Sequence, residues 1–236
     1  MSGKLFLIPS GIGNSPLESQ LPVTNFSVIN SIRNYIVENE RTARRFLIQC
    51  GIKTKIDDLS FYVLNKKTPM EHYSDFLNPA VRGEDIGLIS EAGCPGIADP
   101  GAEIVKLAHS KNIPVIPLTG PSSIVLALMG SGLNGQNFAF VGYLPIEKMQ
   151  RGQKIRALEK YSLNNKQTQI CIETPYRNNQ LFAAFLHNCK NSTSLTVAYN
   201  LFSQGQYIKT NLISKWKKET IDLNKKPAVF LLLADA

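Results

Sequence analysis

Residues 86–101 read I-G-L-I-S-E-A-G-C-P-G-I-A-D-P-G and constrain the fold more than any other stretch of the chain. A short apolar run, Ile86 to Ile89, breaks into a loop holding Gly93, Pro95, Gly96, Pro100 and Gly101. Beyond it, Ile104, Val105, Leu107 and Ala108 recur at helical spacing. The pattern is strand, glycine-rich loop, helix. The apolar run is continuous and does not alternate, so both faces of the strand are expected to be buried, as in a parallel sheet. In such sheets a ligand sits beyond the carboxyl ends of the strands. Glycines there let backbone N–H and C=O groups approach it with no Cβ in the way. A plain connection that needs tight turns has the same composition, and the loop alone does not separate the two.

The rest of the first half repeats this order. Residues 4–8 form an apolar strand that runs into Pro9-Ser10-Gly11-Ile12-Gly13-Asn14, a second glycine-bearing strand end. Residues 15–25 carry two prolines and read as loop; Val28, Ile29, Ile32, Tyr35 and Ile36 keep a helical stripe, with residues 35–37 as an alternative short strand. A helix over 42–50 follows, with Arg41, Arg44 and Arg45 at its start, where cations oppose the helix dipole. Those arginines either cover a solvated face or serve something outside the helix. Strands are predicted at 61–64, 86–89 and 114–118, and helices at 70–77 and 99–110. Thr119-Gly120-Pro121-Ser122-Ser123 then opens a helix, with Pro121 in its first turn and two serines that either cap it or meet a ligand.

After residue 119 the character changes. Strands at 138–142 and 168–172 flank a basic helix over 147–161, and the second strand ends at Glu173-Thr174-Pro175-Tyr176-Arg177. A helix over 178–188, a hairpin of 195–201 with 206–210, a short helix over 212–219 and an apolar strand at 228–233 complete the chain. The reading is α/β: two α/β domains, 1–118 and 119–236, with the ligand in the cleft between their sheets.

Composition narrows the function. No apolar run reaches the roughly 20 residues that cross a bilayer, and the N-terminal run breaks at Pro9, which marks a first strand and not a signal peptide. Cys50, Cys94, Cys171 and Cys189 have no C-x-x-C spacing and the three histidines are scattered, so neither a metal site nor a disulfide framework is expected. These features describe a soluble cytoplasmic protein with reduced thiols. The formal net charge of +8 favours an anionic partner such as nucleic acid.

The loops L-F-L-I-P-S-G-I-G-N, L-I-S-E-A-G-C-P-G-I-A-D-P-G, P-L-T-G-P-S-S, F-V-G-Y-L-P and I-E-T-P-Y-R occur in that order and span nearly the whole chain. Together they resemble the tetrapyrrole methylase superfamily (class III methyltransferases), and within it the branch that methylates a ribose 2′-hydroxyl of 16S ribosomal RNA. The resemblance implies a homodimer that binds S-adenosylmethionine (SAM), held largely by backbone groups at strand ends. It places the cofactor against Ile12, against Gly93, Cys94, Pro95 and Ile97, and against Ser122 and Ser123. On the second domain it implies Thr174, Ala198, Pro227 and Ala228. Glu173 is the implied first choice of general base, with Glu38 and Glu91 as alternatives at strand ends. Arg41, Arg44, Arg45 and Arg177 are the candidates for gripping phosphates, and Tyr176 for stacking on a base. The alternative for Glu173 is an anion held by Arg177.

Several positions depart from the family pattern. Glu91 stands where the family has Asp, Cys94 where it has Thr, and Glu40 where it has Thr. Leu64-Asn65-Lys66-Lys67 replaces a His-Asn-Glu segment, Tyr199-Asn200-Leu201-Phe202-Ser203 replaces an Arg-Glu-Leu-Thr-Lys pattern, and Pro227-Ala228 replaces Gly-Glu. The segment that follows the last strand in longer members is expected to be absent. Most of the replaced positions are polar or charged groups suited to touching an acceptor or assisting proton removal, and the cofactor loops survive better. Two other readings therefore stand beside an RNA methyltransferase: methylation of a tetrapyrrole, and a SAM-binding protein without the acceptor site.

Overall fold

The structure is a computed structural model in which residues 2–235 are described. The chain divides into two units, one running to Ser122 and one beginning at Ser123.

In the first unit, β1 (Leu5–Ile8), β2 (Asn34–Val37), β3 (Ser60–Val63), β4 (Ile86–Ile89) and β5 (Val115–Pro117) form one parallel sheet in the order β3-β2-β4-β1-β5. The apolar run at 86–89 lies at its centre, buried along its whole length. Helices α1 (Val23–Ser31), α2 (Glu40–Gln49), α3 (Asn78–Val81) and α4 (Ala102–Ser110) connect the strands. One core cluster packs Ile29, Tyr35 and Leu47 with the strand residues Ile8 and Ile89, and another packs Leu77 and Ile104 with Leu5 and Leu88. Gly87 is where the central strand meets its neighbours most tightly: a Cβ there would stand 2.6 Å from Ile8 Cδ1 and 2.9 Å from Tyr35 Cδ1.

Register fixes what this sheet can do. Ile8, Val37 and Ile89 are in register, Pro117 lies beside Leu7, and Val63 beside Val37. All five strands therefore stop at nearly the same level. The segments that follow them, 9–14, 38–39, 64–68, 90–101 and 118–122, emerge along one edge.

Tyr35 and Ile36 take the strand alternative and not the helical stripe. Three local readings change. Residues 15–25 are not all loop, because a 3₁₀ turn (Leu17–Ser19) and the start of α1 lie within them. Residues 70–77 form two 3₁₀ turns and not one helix. Pro121 lies ahead of a helix that begins at Ser123.

The second unit has a mixed sheet in the order β6-β7-β10-β8-β9, from β6 (Phe138–Tyr143), β7 (Thr168–Ile172), β8 (Ser194–Tyr199), β9 (Tyr207–Leu212) and β10 (Ala228–Leu233). The pair β6–β7 is parallel and the other pairs are antiparallel. Strand β10 is apolar throughout and sits in the middle, flanked on both sides. Helices α6 (Lys148–Asn165) and α7 (Asn178–Asn188) share the largest cluster with Phe230 and with Trp216 of α8 (Ile213–Trp216). Trp216 is fully buried and its indole N–H donates to Leu195 O at 2.7 Å, so its one polar atom is satisfied. Helix α5 (Ser123–Ser131) lies against β9, where Thr210 Oγ1 donates to Ser131 O at 2.6 Å.

Candidate functional site

The shared edge of the first sheet is drawn together by a short chain of hydrogen bonds. Ser10 and Gly93 exchange backbone bonds, N–H to O, at 2.9 and 3.1 Å. Ser10 Oγ donates to Ser90 O, and Ser90 Oγ donates to Gly93 O, each at 2.5 Å. The loop after β1 thus lies against the loop after β4. Gly93 adopts φ +72°, and a Cβ on it would stand 3.3 Å from Pro121 O and 3.6 Å from Ile12 Cγ2. The Cys94 thiol donates to Pro121 O at 3.4 Å, and burial raises its pKa above the ordinary thiol value. Ile12, Gly93, Cys94 and the segment ahead of Ser122 therefore meet within the first unit. Ile12 is buried, and its N–H is held by Gln20 Oε1 at 2.8 Å.

Backbone donors are free here. Past Gly93 the chain turns through Pro95 and Gly96, with Ile97 N–H donating to Cys94 O at 3.3 Å. The N–H groups of Cys94 and Gly96 have no partner among the described residues. The loop thus offers bare peptide donors and no charged side chain on residues 92–98, with Ile97 exposed beside them. This is a fitting surface for a ligand that is apolar along part of its length and polar at its ends.

Acids gather on the same edge. Glu38 follows β2, Glu91 follows β4, and Asp99 lies further along that loop. Glu38 Oε1 and Asp99 Oδ2 are buried without a donor. Two carboxylates within hydrogen-bonding reach have none to share unless one keeps its proton. Burial first, and then the Asp99 carboxyl, push Glu38 up to about 7; burial likewise raises Asp99. Glu91 is more tied down, accepting from Thr42 Oγ1 at 2.6 Å.

Beside this edge is a cavity of about 560 Å³. Val37, Phe46 and Ile89 form its apolar part, and Ser10, Thr42, Arg45 and Gln49 its polar part. The three arginines of α2 separate here. Arg44 bonds Glu40 and Asp57 at 2.8 and 3.0 Å and lies over the Phe61 ring. Arg45 lines the cavity, and neither it nor Arg41 has an ion pair among the described residues. Asn39 caps this helix, accepting from Arg41 N–H at 2.9 Å and so fixing where the arginines start.

In the second unit, Glu173 follows β7 with its side chain almost wholly buried. Its Oε1 accepts from Arg177 Nη2 at 2.6 Å, Arg177 Nε at 2.9 Å and Thr174 N–H at 2.6 Å. Burial pushes this carboxyl up, but the bonds from Arg177 and Thr174 outweigh it and hold it below the ordinary range. Thr174 and Arg177 thus converge on Glu173, while Tyr176 is exposed. Ala198 is buried in β8, opposite Val229 of β10. Pro227 O accepts from Asn200 N–H at 3.1 Å, and Ala228 pairs with Tyr199. Ala198, Pro227 and Ala228 are therefore neighbours across two paired strands.

No family model matches the chain. Curated proteins do. A protein of Halalkalibacterium halodurans named Ribosomal RNA small subunit methyltransferase I is 36% identical over 178 residues, 74% of this chain and 56% of that protein. Its namesake in Buchnera aphidicola of Schizaphis graminum is 27% identical over 235 residues, 98% of this chain and 78% of that protein. The chain thus spans little more than half the length of the first of these relatives. Among solved structures, the methyltransferase CobJ superposes with a TM-score of 0.66 at 12% identity, over 99% of this chain and 95% of that one. The uroporphyrin-III-C-methyltransferase of Thermus thermophilus gives 0.57 at 17%, over 99% and 93%. At those identities the structures speak for the fold.

The chain belongs to the tetrapyrrole methylase superfamily. The superfamily's five loops in this sequence fall at strand ends: after β1, β4 and β5 in the first unit, and at β6 and after β7 in the second. Two groups in the first unit stood out less in the sequence. Asp99 looked like a helix start, but α4 begins only at Ala102 and leaves Asp99 in the loop. Arg45 was indistinguishable from Arg41 and Arg44 until the helix phase turned it toward the cavity.

Proposed function

We propose that this chain is a SAM-dependent methyltransferase that acts on a ribose 2′-hydroxyl of 16S ribosomal RNA in the cytoplasm, as a homodimer. The observation that carries the reading is the edge of the first sheet. In-register strand ends there bring Ile12, Gly93 and Cys94 together with unpaired peptide donors, and sequence relatives bear the name of a small-subunit ribosomal RNA methyltransferase.

In this reading Ile12, Gly93, Cys94, Pro95, Ile97 and Ser122 hold SAM on the first unit, and Ser123, Thr174, Ala198, Pro227 and Ala228 on the second. When bound, SAM supplies an electrophilic methyl group. The protein aligns the two reactants and keeps water away from them. The acceptor hydroxyl must lose a proton, and a carboxylate with a pKa near the working pH serves best. Glu38, raised by burial and by Asp99, has that property, whereas Glu173 is held as an anion by Arg177. We therefore assign proton removal to Glu38 and the orienting of the β7 loop to Glu173. Glu38 would take up the proton that the ribose hydroxyl gives up. Arg41 and Arg45 meet phosphates, and Tyr176 stacks on a base.

The test is methyl transfer from tritiated SAM to small ribosomal subunits and free RNA from cells lacking this protein, followed by nucleoside analysis. A labelled 2′-O-methyl nucleoside is expected. Transfer to uroporphyrinogen and not to RNA would overturn the acceptor. SAM binding in calorimetry with no transfer at all would leave a binding protein.

A further inference from the structure

The positive charge is not spread evenly along the chain. Residues up to Ser122 carry 12 Lys and Arg against 12 Asp and Glu, and those from Ser123 carry 14 against 6, so the whole surplus lies in the second unit. Within it, α6 stands out. Its outward side chains include Lys148, Lys154, Arg156 and Lys160 and no carboxylate. Its one acid, Glu159, is buried and accepts from Lys190 N–H and Thr193 Oγ1. Its remaining cation, Arg151, is also buried and donates to Ile146 O. None of the four outward cations has an ion pair among the described residues.

This is an unusual helix face on physical grounds. Arg156 and Lys160 are four residues apart, where like charges repel. An ordinary solvated helix relieves such pairs with interspersed acids, and this one has none outside. Arg156 also hydrogen-bonds Asn188 of α7, which holds its guanidinium at a groove that Lys148 and His187 share. The aromatic ring of Tyr161 stands half-exposed on the same helix. Exposed cations and an exposed ring on one helix suit a polyanion that carries flat bases.

We propose that the outward face of α6 is a docking surface for the phosphodiester backbone of RNA, one that holds the strand without reading its sequence. The choice of RNA as the polyanion rests on the methyltransferase reading above. Each of these exposed cations that meets a phosphate displaces a counterion, so the attachment is salt-dependent.

The experiment measures anisotropy of a fluorescein-labelled 20-nucleotide single-stranded RNA of mixed sequence, titrated between 50 and 300 mM KCl. The variants are K148Q/K154Q/R156Q/K160Q and, as a charge-matched control in the first unit, K53Q/K55Q/K106Q/K111Q. The α6 variant is expected to lose about 2–3 from the slope of log Kobs against log salt, at roughly 0.7 per phosphate contact. Its SAM affinity and melting temperature should be unchanged, and the control should keep the slope. If the α6 variant melts early, the exposed pair K154Q/K160Q should show about half the loss. An unchanged slope overturns the proposal. An equal loss in the control does too, because net charge and not this face would then bind. Wild-type protein that ignores RNA but binds vesicles of anionic lipid would also overturn it. Failure of the methyltransferase reading looks different: wild-type protein binds this RNA with the expected slope yet transfers methyl groups to no RNA.

Discussion

Replacing Glu38 by Gln tests both the fold and the chemistry of the first unit. In the folded chain burial and the Asp99 carboxyl push Glu38 up to about 7, whereas in the unfolded chain it titrates at about 4.3. Between those values the folded state keeps a proton that the unfolded state has lost. The free energy of unfolding therefore falls as pH rises through that window, and the penalty is complete above about pH 7. The shift taken at face value is worth ~4 kcal/mol at 1.36 kcal/mol per unit. Glu38 is only partly buried and shares its titration with Asp99, so solvent screening leaves about 1 kcal/mol. Gln keeps the size, supplies a donor to Asp99 and removes the ionisation. Glu38→Gln should melt together with wild type at pH 4.5 and about 2–4 °C above it at pH 8. Differential scanning calorimetry at pH 4.5, 6 and 8 measures this. A shift of the same size at every pH, or a variant less stable at pH 8, would refute the argument from the carboxyl pair.

The same variant separates stability from catalysis. Wild-type methyl transfer should rise with pH and level off above about 7, as the carboxylate form fills. Glu38→Gln should lower kcat by roughly 10²–10⁴-fold with SAM affinity unchanged. Full activity in a stabilised variant would move the base elsewhere and leave the electrostatic account of the fold intact.

Gly93→Val puts a branched side chain at φ +72°, 3.3 Å from Pro121 O, and should cut SAM affinity at least about tenfold by calorimetry, a loss of ~1.4 kcal/mol. Gly87→Ala crowds Ile8 and Tyr35 in the central strand and should lower stability by about 1–3 kcal/mol, read as a reduced urea midpoint. Arg177→Ala leaves the Glu173 carboxylate buried without its cation and should cost roughly 3 kcal/mol at pH 7. The wild-type bond stabilises above the ordinary carboxylate range and fades as pH falls through the depressed folded pKa, so the gap between variant and wild type should shrink in acid. Trp216→Ala removes a fully buried ring that donates to Leu195 O and should cost about 3–5 kcal/mol.

What the sequence disclosed followed from what fixes each residue. Ile86 to Ile89 are apolar without a break, and burial on both faces is the only comfortable place for such a strand, so its central position was readable. The same holds for Ala228 to Leu233. Residues 70–77 carried no comparable signal: Met70 is exposed and Leu77 buried, and the short 3₁₀ turns there follow the packing of Leu77 and not a local period. Tyr35 and Ile36 fit a helix or a strand equally well by spacing. Pairing with β4 decided between them, and pairing is not local. The site divided in the same way. Gly93 and its loop were visible because the backbone conformation demands glycine. The Glu38–Asp99 pair was not, because it joins residues 61 positions apart that meet only through the register of β2 with β4.

That pair also gives the uneven charge of the chain a physical sense. A carboxyl keeps a pKa near neutrality only where burial and neighbouring acids outweigh nearby cations. The charged groups that act on Glu38 are Asp99 and Glu91, which raise it, and Lys66, which lowers it. A strong basic patch within a Debye length, roughly 8–10 Å, would pull it down toward the ordinary value and take away its use as a base near pH 7. A polyanionic acceptor nevertheless needs cations to attract it. The residues up to Ser122 carry equal numbers of acids and bases, so the net charge of the first unit itself does not oppose the raised pKa. Adding positive charge there should expose the conflict. Introducing Lys at Thr42, whose hydroxyl touches Glu91, should lower the pH at which methyl transfer levels off, even if it strengthens RNA binding. A pH profile unmoved by Thr42→Lys would show that the charges of the first unit do not set the working pKa of Glu38.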